Sequence, residues 1–245
     1  MDVLQHVQAV QAKIEAAAQA AGRDPREITL CAATKVQTDE TIRRAISAGI
    51  RVCGENRVQE LVAHLAADAY AGAEVHFIGH LQTNKVKQVV GKVSLIQSVD
   101  SEHLLRGIAA QADKLHLVQD ILLEVNIGGE ASKGGCPVSE VESLAELARS
   151  LPGVRLRGLM AIPPIAREPG ENRPYFAAMR QLYVDIRGKM SDNQDDMDCL
   201  SMGMSGDYED AIAEGATLVR VGTALFGPRP PMGGAVGHAD RPNNG

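Results

Sequence analysis

The sequence alternates short apolar segments with helical patterns eight times. The apolar segments are Ile28–Thr34, Arg51–Cys53, Glu74–Ile78, Ser94–Gln97, Val118–Val125, Val154–Met160, Cys199–Met202 and Leu218–Val221. Strands that alternate with helices need crossover connections, and crossover connections produce a parallel sheet. Eight such units in about 230 residues are the number and length typical of a (β/α)8 barrel. We therefore predict an α/β fold made of a single TIM-type barrel.

A further helical pattern lies before the first strand. Apolar residues recur at helical spacing from Val3 to Ala17, and Gly22 ends the segment. No helix-length pattern follows the eighth strand, so we expect this extra N-terminal helix to fill the gap in the outer ring. An open doubly wound sheet is the alternative architecture. The number of units and the lack of a GxGxxG motif after the first strand favour the barrel.

The domain boundaries follow from composition. Residues 1–228 contain all eight units and are predicted to form one barrel domain. Residues 229–245 are rich in Pro, Gly and polar side chains. Such a segment buries too little apolar surface to offset the entropy of ordering, so we expect a disordered C-terminal tail.

Charge and composition exclude several classes of function. The net charge of -6 argues against nucleic acid or an anionic membrane as the main partner. No segment approaches the roughly 20 apolar residues of a membrane helix, and the N-terminus lacks the apolar region of a signal peptide. The cysteines are widely spaced, and we expect reduced thiols in a cytoplasmic protein. They are Cys31, Cys53, Cys136 and Cys199.

Lys35 directly follows the first predicted strand. Barrels of this type carry their chemistry at the carboxyl ends of the strands, so Lys35 is expected in the site. Desolvation disfavours the charged form of a lysine, and a neutral amine can form a Schiff base with a carbonyl group. The alternative is a surface lysine that happens to follow a strand.

The seventh and eighth units end in turns of small residues, "LSMGMSGD" at 200–207 and "LVRVGTALFG" at 218–227. Phosphate sites in barrels recur in the loops after these two strands. Backbone N–H groups and hydroxyls there are suitable donors to phosphate oxygens. The candidate phosphate-binding residues are Ser201, Gly203, Ser205, Gly222 and Thr223.

Arg220 lies within the last predicted strand, two positions after Leu218 and therefore on the same face. An arginine on that face requires a partner, because buried charges are usually paired. One interpretation is an ion pair with an acidic residue. The other is a fixed cation beside the ring or phosphate of a ligand.

These features together resemble the pyridoxal phosphate homeostasis protein family, small proteins with the barrel of the alanine racemases. The resemblance covers about residues 5–228 and lies in seven ordered blocks. The blocks are "AATK", "GENRVQE", "HFIGHLQTNK", "EVNIGGEASKGG", "GLMAIPP", "LSMGMSGDYEDAI" and "VRVGTALFG". The chain departs from the family at Val36–Thr38, where a Lys-Pro type turn is common, and at Val75, where a Trp is common.

The resemblance implies a cofactor and a site. It implies that Lys35 carries pyridoxal 5'-phosphate (PLP) as an internal aldimine, with the phosphate among the residues of the seventh and eighth loops. It also implies that Arg220 faces the pyridine nitrogen and keeps it unprotonated, which makes the ring a poor electron sink. Asn56, in the "GENRVQE" block, is expected beside the cofactor. No metal is expected.

The same residues favour a carrier over an efficient enzyme. Racemisation needs two bases, and alanine racemases take the second from another domain and subunit, which this chain lacks. The tyrosines are Tyr70, Tyr175, Tyr183 and Tyr208, and none is expected to act as that base. We predict a monomeric protein that buffers or delivers PLP, with apo PLP-dependent enzymes as possible recipients. A weak amino-acid racemase or other PLP-dependent enzyme is one alternative, and a colourless sugar-phosphate aldolase that uses Lys35 is another.

Overall fold

The computed structural model describes residues 2–130, 134–190 and 197–228. Its strands form one closed parallel barrel in the sequential order β1 to β8, with β8 paired back to β1. The strands are β1 Thr29–Ala33, β2 Val52–Glu55, β3 Glu74–Phe77, β4 Leu95–Val99, β5 Gln119–Val125, β6 Val154–Ala161, β7 Cys199–Ser201 and β8 Leu218–Val221. The predicted TIM-type barrel is confirmed.

Helices surround the barrel. They are α1 Val3–Ala20, α2 Asp39–Ser47, α3 Val58–Ala66, α4 Glu102–Lys114, α5 Val141–Ser150, α6 Arg173–Lys189, α7 Tyr208–Ala213 and α8 Thr223–Phe226. The extra N-terminal helix α1 packs against α2, α7 and α8. It closes the outer ring because α8 is a single turn, as the sequence led us to expect.

Local signals set the beginnings of the helices near the site. The Thr38 hydroxyl accepts a hydrogen bond from the N–H of Thr41 and so caps α2. Ser101 caps α4 in the same way through the N–H of Leu104, as a serine directly before a helical pattern predicts. Each cap satisfies an N–H group that lacks a partner within the first turn of the helix.

Two predicted helices differ from the structure. The helical pattern from Thr83 to Val90, followed by Gly91, predicts a helix over residues 83–90. The structure instead has a 3-10 helix there, Thr83–Gln88, and Gln82 before it provides no side-chain cap. The helical pattern over Val58–Ala69 predicts a helix of that length. The helix ends earlier, at Ala66, because Asp68 adopts a left-handed backbone with φ of 52°. Both differences concern the outer layer and leave the barrel unchanged.

The core has two layers. Most buried residues lie between the strands and the helices, in one continuous apolar cluster. Alternate strand residues point inward and form a smaller cluster inside the barrel, which comprises Cys31, Ala33, Val52, Ile78 and Leu218. Arg220, Ser201, Gln97 and His76 are also buried. The interior of the barrel is therefore partly polar.

No helix in the described part of the chain is both long and apolar enough to cross a membrane. The predicted disordered tail, residues 229–245, lies outside the described residues.

Candidate functional site

Lys35 lies in a turn at the carboxyl end of β1, beside the loop that follows β8. A cavity separates the two loops and has a volume of about 200 Å³. Lys35, Gly222 and Thr223 line this cavity together. The loop after β8 approaches closely, since a Cβ added to Gly222 would lie 3.4 Å from the Cβ of Ala33. The structure thus brings a lysine and a Gly-Thr turn to one mouth of the barrel.

The turn that carries Lys35 is held from outside. Val36 adopts a left-handed backbone with φ of 58°, a conformation that a β-branched residue rarely adopts. Its N–H donates to a carboxylate oxygen of Glu60 on α3 at 2.8 Å. The Nδ1 of His64, on the same helix, lies 2.5 Å from a carboxylate oxygen of Asp39 at the start of α2. Helix α3 therefore fixes the chain on both sides of the turn.

Glu55, at the end of β2, lies beneath this turn and is fully buried. One of its oxygens accepts the N–H of Asn56 at 2.7 Å, and the other accepts the hydroxyls of Tyr70 at 3.1 Å and Thr34 at 3.3 Å. Burial raises the pKa of its carboxyl group, whereas the backbone N–H bonds lower it. Sequence reasoning missed this residue, although an acidic residue at the end of a buried strand is the signal that points to it.

Glu55, Glu60 and His64 form a group whose ligand-type atoms all lie within 4.8 Å of one another. Hydrogen bonds to the protein engage the oxygens of both glutamates and the Nδ1 of the histidine. The cluster is accounted for by its role in holding the turn, and it supplies no argument for a metal ion.

Asn56 follows Glu55 and presents an acceptor that no described residue satisfies. Its Oδ1 is buried and makes no hydrogen bond within the described part of the chain. Gly79, after β3, packs against it so closely that an added Cβ would lie 2.1 Å from the Asn56 carbonyl oxygen. Buried polar atoms of native proteins usually have a partner, so Oδ1 fits a position that faces a ligand.

The loop after β7 supports the loop after β8. The Ser205 hydroxyl accepts the N–H groups of Gly222 at 3.1 Å and Ala224 at 3.3 Å. Gly203 has a φ of 90°, and an added Cβ would lie 2.5 Å from the Cβ of Ala211. Glycine is required there by the turn and by the packing of α7. The Ser205 oxygen thus occupies the kind of position, at two backbone N–H groups, that suits an anionic oxygen.

Arg220 is buried inside the barrel with 4% of its surface exposed. Its Nη2 donates to the carbonyl oxygen of Ala161 at 2.8 Å, and its Nη1 donates to the Ser201 hydroxyl. Burial lowers the pKa of the guanidinium, an effect that nearby Cys31 and Glu124 oppose. The structure places the Ser201 hydroxyl beside Arg220, a contact that sequence reasoning missed.

Glu124, near the end of β5, is a second buried acid that the sequence interpretation missed. It is 7% exposed, and burial raises the pKa of its carboxyl group to about 7, partly offset by the charge of Arg220. Glu124 lies two positions after Leu122, which faces the barrel interior. An acidic residue within the apolar segment predicted as the fifth strand is the signal that could have identified it.

The arrangement combines an amine, a buried guanidinium, backbone N–H groups suited to an anion and an unsatisfied acceptor. Lys35, Gly222 and Thr223 share the cavity, Ser205 contacts the same loop, and Gly203 shapes the neighbouring turn. Chemically, the site is suited to a small ligand that has a carbonyl group and an anionic group.

Comparisons with known proteins agree with this fold. The family model described as "Alanine racemase, N-terminal domain" matches residues 5–230. Alanine racemase from Clostridium difficile 630 shares the fold, with a TM-score of 0.69 at 14% identity, covering 93% of this chain and 58% of that chain. This likeness concerns the barrel alone.

Other relatives match over nearly their whole length. A pyridoxal phosphate homeostasis protein of Aquifex aeolicus is 43% identical over 94% of this chain and 99% of its own, and one of Pseudomonas aeruginosa is 40% identical over 93% and 96%. PipY of Synechococcus elongatus, whose structure was solved with PLP bound, is 31% identical with a TM-score of 0.79, covering 92% of this chain and 100% of that chain. The chain therefore belongs to the pyridoxal phosphate homeostasis protein family, which has the barrel of the alanine racemase N-terminal domain.

Proposed function

We propose that this protein binds pyridoxal 5'-phosphate at Lys35 and serves PLP homeostasis by buffering or delivering the cofactor. The observation that carries the proposal is the cavity in which Lys35 meets the Gly222–Thr223 turn at the mouth of the barrel. The names of the relatives from Aquifex and Pseudomonas and the PLP-bound structure of PipY support the same conclusion.

The residues present fit this cofactor. The Asn56 Oδ1 is a buried acceptor that no described residue satisfies, and the Ser205 hydroxyl lies at two N–H groups where a phosphate oxygen is suited to bind. Arg220 uses two of its five guanidinium N–H groups in hydrogen bonds to described residues, so donors remain for a ligand.

Each residue has a distinct role in the proposal. When bound, PLP supplies an aldehyde with which the Lys35 amine can condense. A phosphate oxygen would replace the Ser205 oxygen as the acceptor of the Gly222 N–H, and the Thr223 N–H would donate to the phosphate beside it. Ser205 would then lie next to the phosphate, and Gly203 would keep the turn in place. Arg220, supported by Ser201, would donate to the pyridine nitrogen, and a nitrogen that accepts a hydrogen bond is unprotonated.

The positions of the tyrosines favour holding the cofactor over catalysis. The Tyr70 hydroxyl donates to Glu55, and the Tyr183 hydroxyl donates to the carbonyl oxygen of Met197. Burial raises the pKa of Tyr208 to about 12, which makes it a poor proton donor or acceptor at neutral pH. Tyr175 lies on α6 in the outer ring. These observations give no support to a racemase with a tyrosine as its second base.

We further propose that the protein works as a monomer in the cytoplasm and passes PLP to apo PLP-dependent enzymes. Cytoplasmic residence agrees with its free cysteines, three of which are buried. Burial raises the pKa of Cys53 and Cys136 to about 12, so these thiols are unreactive.

The visible absorption spectrum of the purified protein tests the proposal. We expect a band from bound PLP in the wild type, its loss in Lys35→Ala, and its retention in Lys92→Ala, a control at an exposed lysine. A protein that stays colourless after PLP is added would overturn the proposal and favour the aldolase alternative. Turnover of an amino acid at ordinary enzymatic rates, lost in Lys35→Ala, would overturn the carrier role while leaving the cofactor in place.

A further inference from the structure

A chain of hydrogen bonds crosses the barrel interior from β8 to β3. Arg220 donates to the Ser201 hydroxyl, which donates to the Oε1 of Gln97 at 2.7 Å. The Nε2 of Gln97 lies 2.9 Å from the Nδ1 of His76. Each of the four residues has at most 5% of its surface exposed. These hydrogen bonds therefore run through the barrel interior from the cofactor site to His76, which lines a cavity at the amino ends of the strands.

The direction of every hydrogen bond in this chain is determined by its members. A guanidinium only donates, so Ser201 must accept from Arg220 and use its one proton toward Gln97. The amide nitrogen of Gln97 then donates to Nδ1 of His76, which must be unprotonated. If the Gln97 amide were flipped, its Nε2 would face Ser201 as a second donor besides Arg220. The Ser201 proton would then lose the Oε1 of Gln97 as its acceptor.

The surroundings of His76 keep it in the required form. Burial, with a smaller contribution from the charge of Arg157, lowers the pKa of its imidazole to about 4. The ring is therefore neutral at physiological pH. Its proton lies on Nε2, which is 3.8 Å from a carboxylate oxygen of Glu74. Nδ1 is thus available as the final acceptor of the chain.

We propose that Gln97 and His76 are positioning residues for the cofactor, because together with Ser201 they fix the guanidinium of Arg220 in one orientation. The inference rests on the proposed function, in which Arg220 faces the pyridine ring. Two nitrogens of the guanidinium already donate hydrogen bonds, Nη1 to the Ser201 hydroxyl and Nη2 to the carbonyl oxygen of Ala161. Its other N–H groups are then presented to the ligand in a single direction, as a preorganised donor.

Two disruptive variants and one conservative variant test the proposal. Gln97→Leu removes both of its hydrogen bonds, and His76→Leu removes the final acceptor. His76→Gln still offers a carbonyl oxygen to Gln97. We expect the two leucine variants to shift the absorption maximum of bound PLP and to release PLP about tenfold faster, the effect of one hydrogen bond to a charged group. We expect His76→Gln to restore the wild-type values.

Two control variants separate positioning from stability. Gln119→Leu removes another buried glutamine, which bonds to the backbone at Gly91 and Val93. Ser98→Ala removes a buried hydroxyl next to Gln97 that has no partner among the described residues. Both controls should keep the wild-type spectrum and release rate, even where stability falls. A Gln97→Leu protein that resembles Gln119→Leu in all respects would overturn the proposal.

A further measurement does not depend on PLP. In the ligand-free protein, the ¹⁵N signals of the Arg220 guanidinium should be separate in the wild type and in His76→Gln, and averaged by rotation in His76→Leu. If the wild type binds no PLP, the proposed function fails, and these signals still decide whether the chain fixes Arg220. If Gln97→Leu does not fold, the comparison of His76→Leu with His76→Gln still tests the positioning role. Averaged signals in the wild type would overturn the positioning role.

Discussion

The N–H of Val36 and the carboxylate of Glu60 form a 2.8 Å hydrogen bond that ties the residue after Lys35 to helix α3. Glu60 also accepts from Arg57 at 3.1 Å, so its side chain has little freedom to move. The bond holds Val36 in a left-handed backbone conformation that costs about 1–3 kcal/mol for such a residue. The position of Lys35 thus depends on an acidic side chain from another unit of the barrel.

Removal of the Glu60 acceptor should loosen this turn. We expect Glu60→Ala to lower the free energy of unfolding by about 1–2 kcal/mol, as for a hydrogen bond to a partly exposed charged group, and to speed PLP release. Glu60→Gln should retain most of the wild-type behaviour, since its amide oxygen can still accept from Val36. Urea unfolding and the decay of the PLP band measure the two effects. Gln59→Ala, exposed on the same helix, is the control, and equal losses in both alanine variants would contradict the argument.

Replacement of Val36 itself should stabilise the protein. Val36 is 51% exposed, so a polar side chain at this position can remain in contact with water. Asparagine tolerates the left-handed region far better than valine. We expect Val36→Asn to raise the free energy of unfolding by about 1 kcal/mol, as measured by urea denaturation. Val62→Asn, at an exposed helical position, should give no such gain. A stabilised control, or an unchanged Val36 variant, would show that the backbone is not strained.

The fold was predictable because its signal is local and repeated. Eight apolar segments of strand length, separated by helical patterns, allow few other architectures. The same rule placed Lys35 and the Gly222–Thr223 turn at one end of the barrel, and the structure brings them to one cavity. The error over residues 83–90 arose where the segment is short and uncapped, so that propensity alone could not distinguish a 3-10 helix from an α-helix.

The partners of the interior polar residues could not be predicted in the same way. Sequence periodicity indicates that Arg220 shares a face with Leu218, but it does not indicate which strands lie opposite. The contact between Arg220 and Ser201, and the bond from Ser201 to Gln97, depend on the register and closure of the barrel. Residues far apart in the sequence meet there, and a single sequence contains no local signal of their pairing.

The contact between Gly79 and Asn56 gives a severe steric prediction. A methyl group on Gly79 would lie 2.1 Å from the Asn56 carbonyl oxygen, which is backbone and cannot rotate away. We expect Gly79→Ala to lower the free energy of unfolding by at least about 2 kcal/mol and to weaken PLP binding by displacing Asn56. Gly206→Ala is the control, since nothing lies within 4 Å of its added Cβ. Its effect should stay below about 0.5 kcal/mol. Urea denaturation and PLP titration measure the effects, and similar losses in both variants would refute the steric explanation.

The last prediction concerns Glu124 and pH. Its pKa is raised from 4.5 to about 7 in the folded protein, so between these values the folded state binds more protons than the unfolded state. Stability therefore falls as pH rises through this window, by up to about 3 kcal/mol for a shift of this size. Glu124→Gln removes the ionisation while keeping the shape of the side chain. We expect this variant to be more stable than the wild type at pH 8 and to differ little from it at pH 4.5.

Urea unfolding of the PLP-free protein at the two pH values measures this effect. Glu40→Gln, at an exposed glutamate on α2, is the control and should show no comparable difference between pH 4.5 and pH 8. The variant is expected to be more stable at pH 8 because it does not bury an ionised carboxylate. In the wild type, the charge of Arg220 offsets the cost of burying that carboxylate only in part. A Glu124→Gln protein that is less stable than the wild type at pH 8 would show instead that the ionised carboxylate forms a net favourable pair with Arg220.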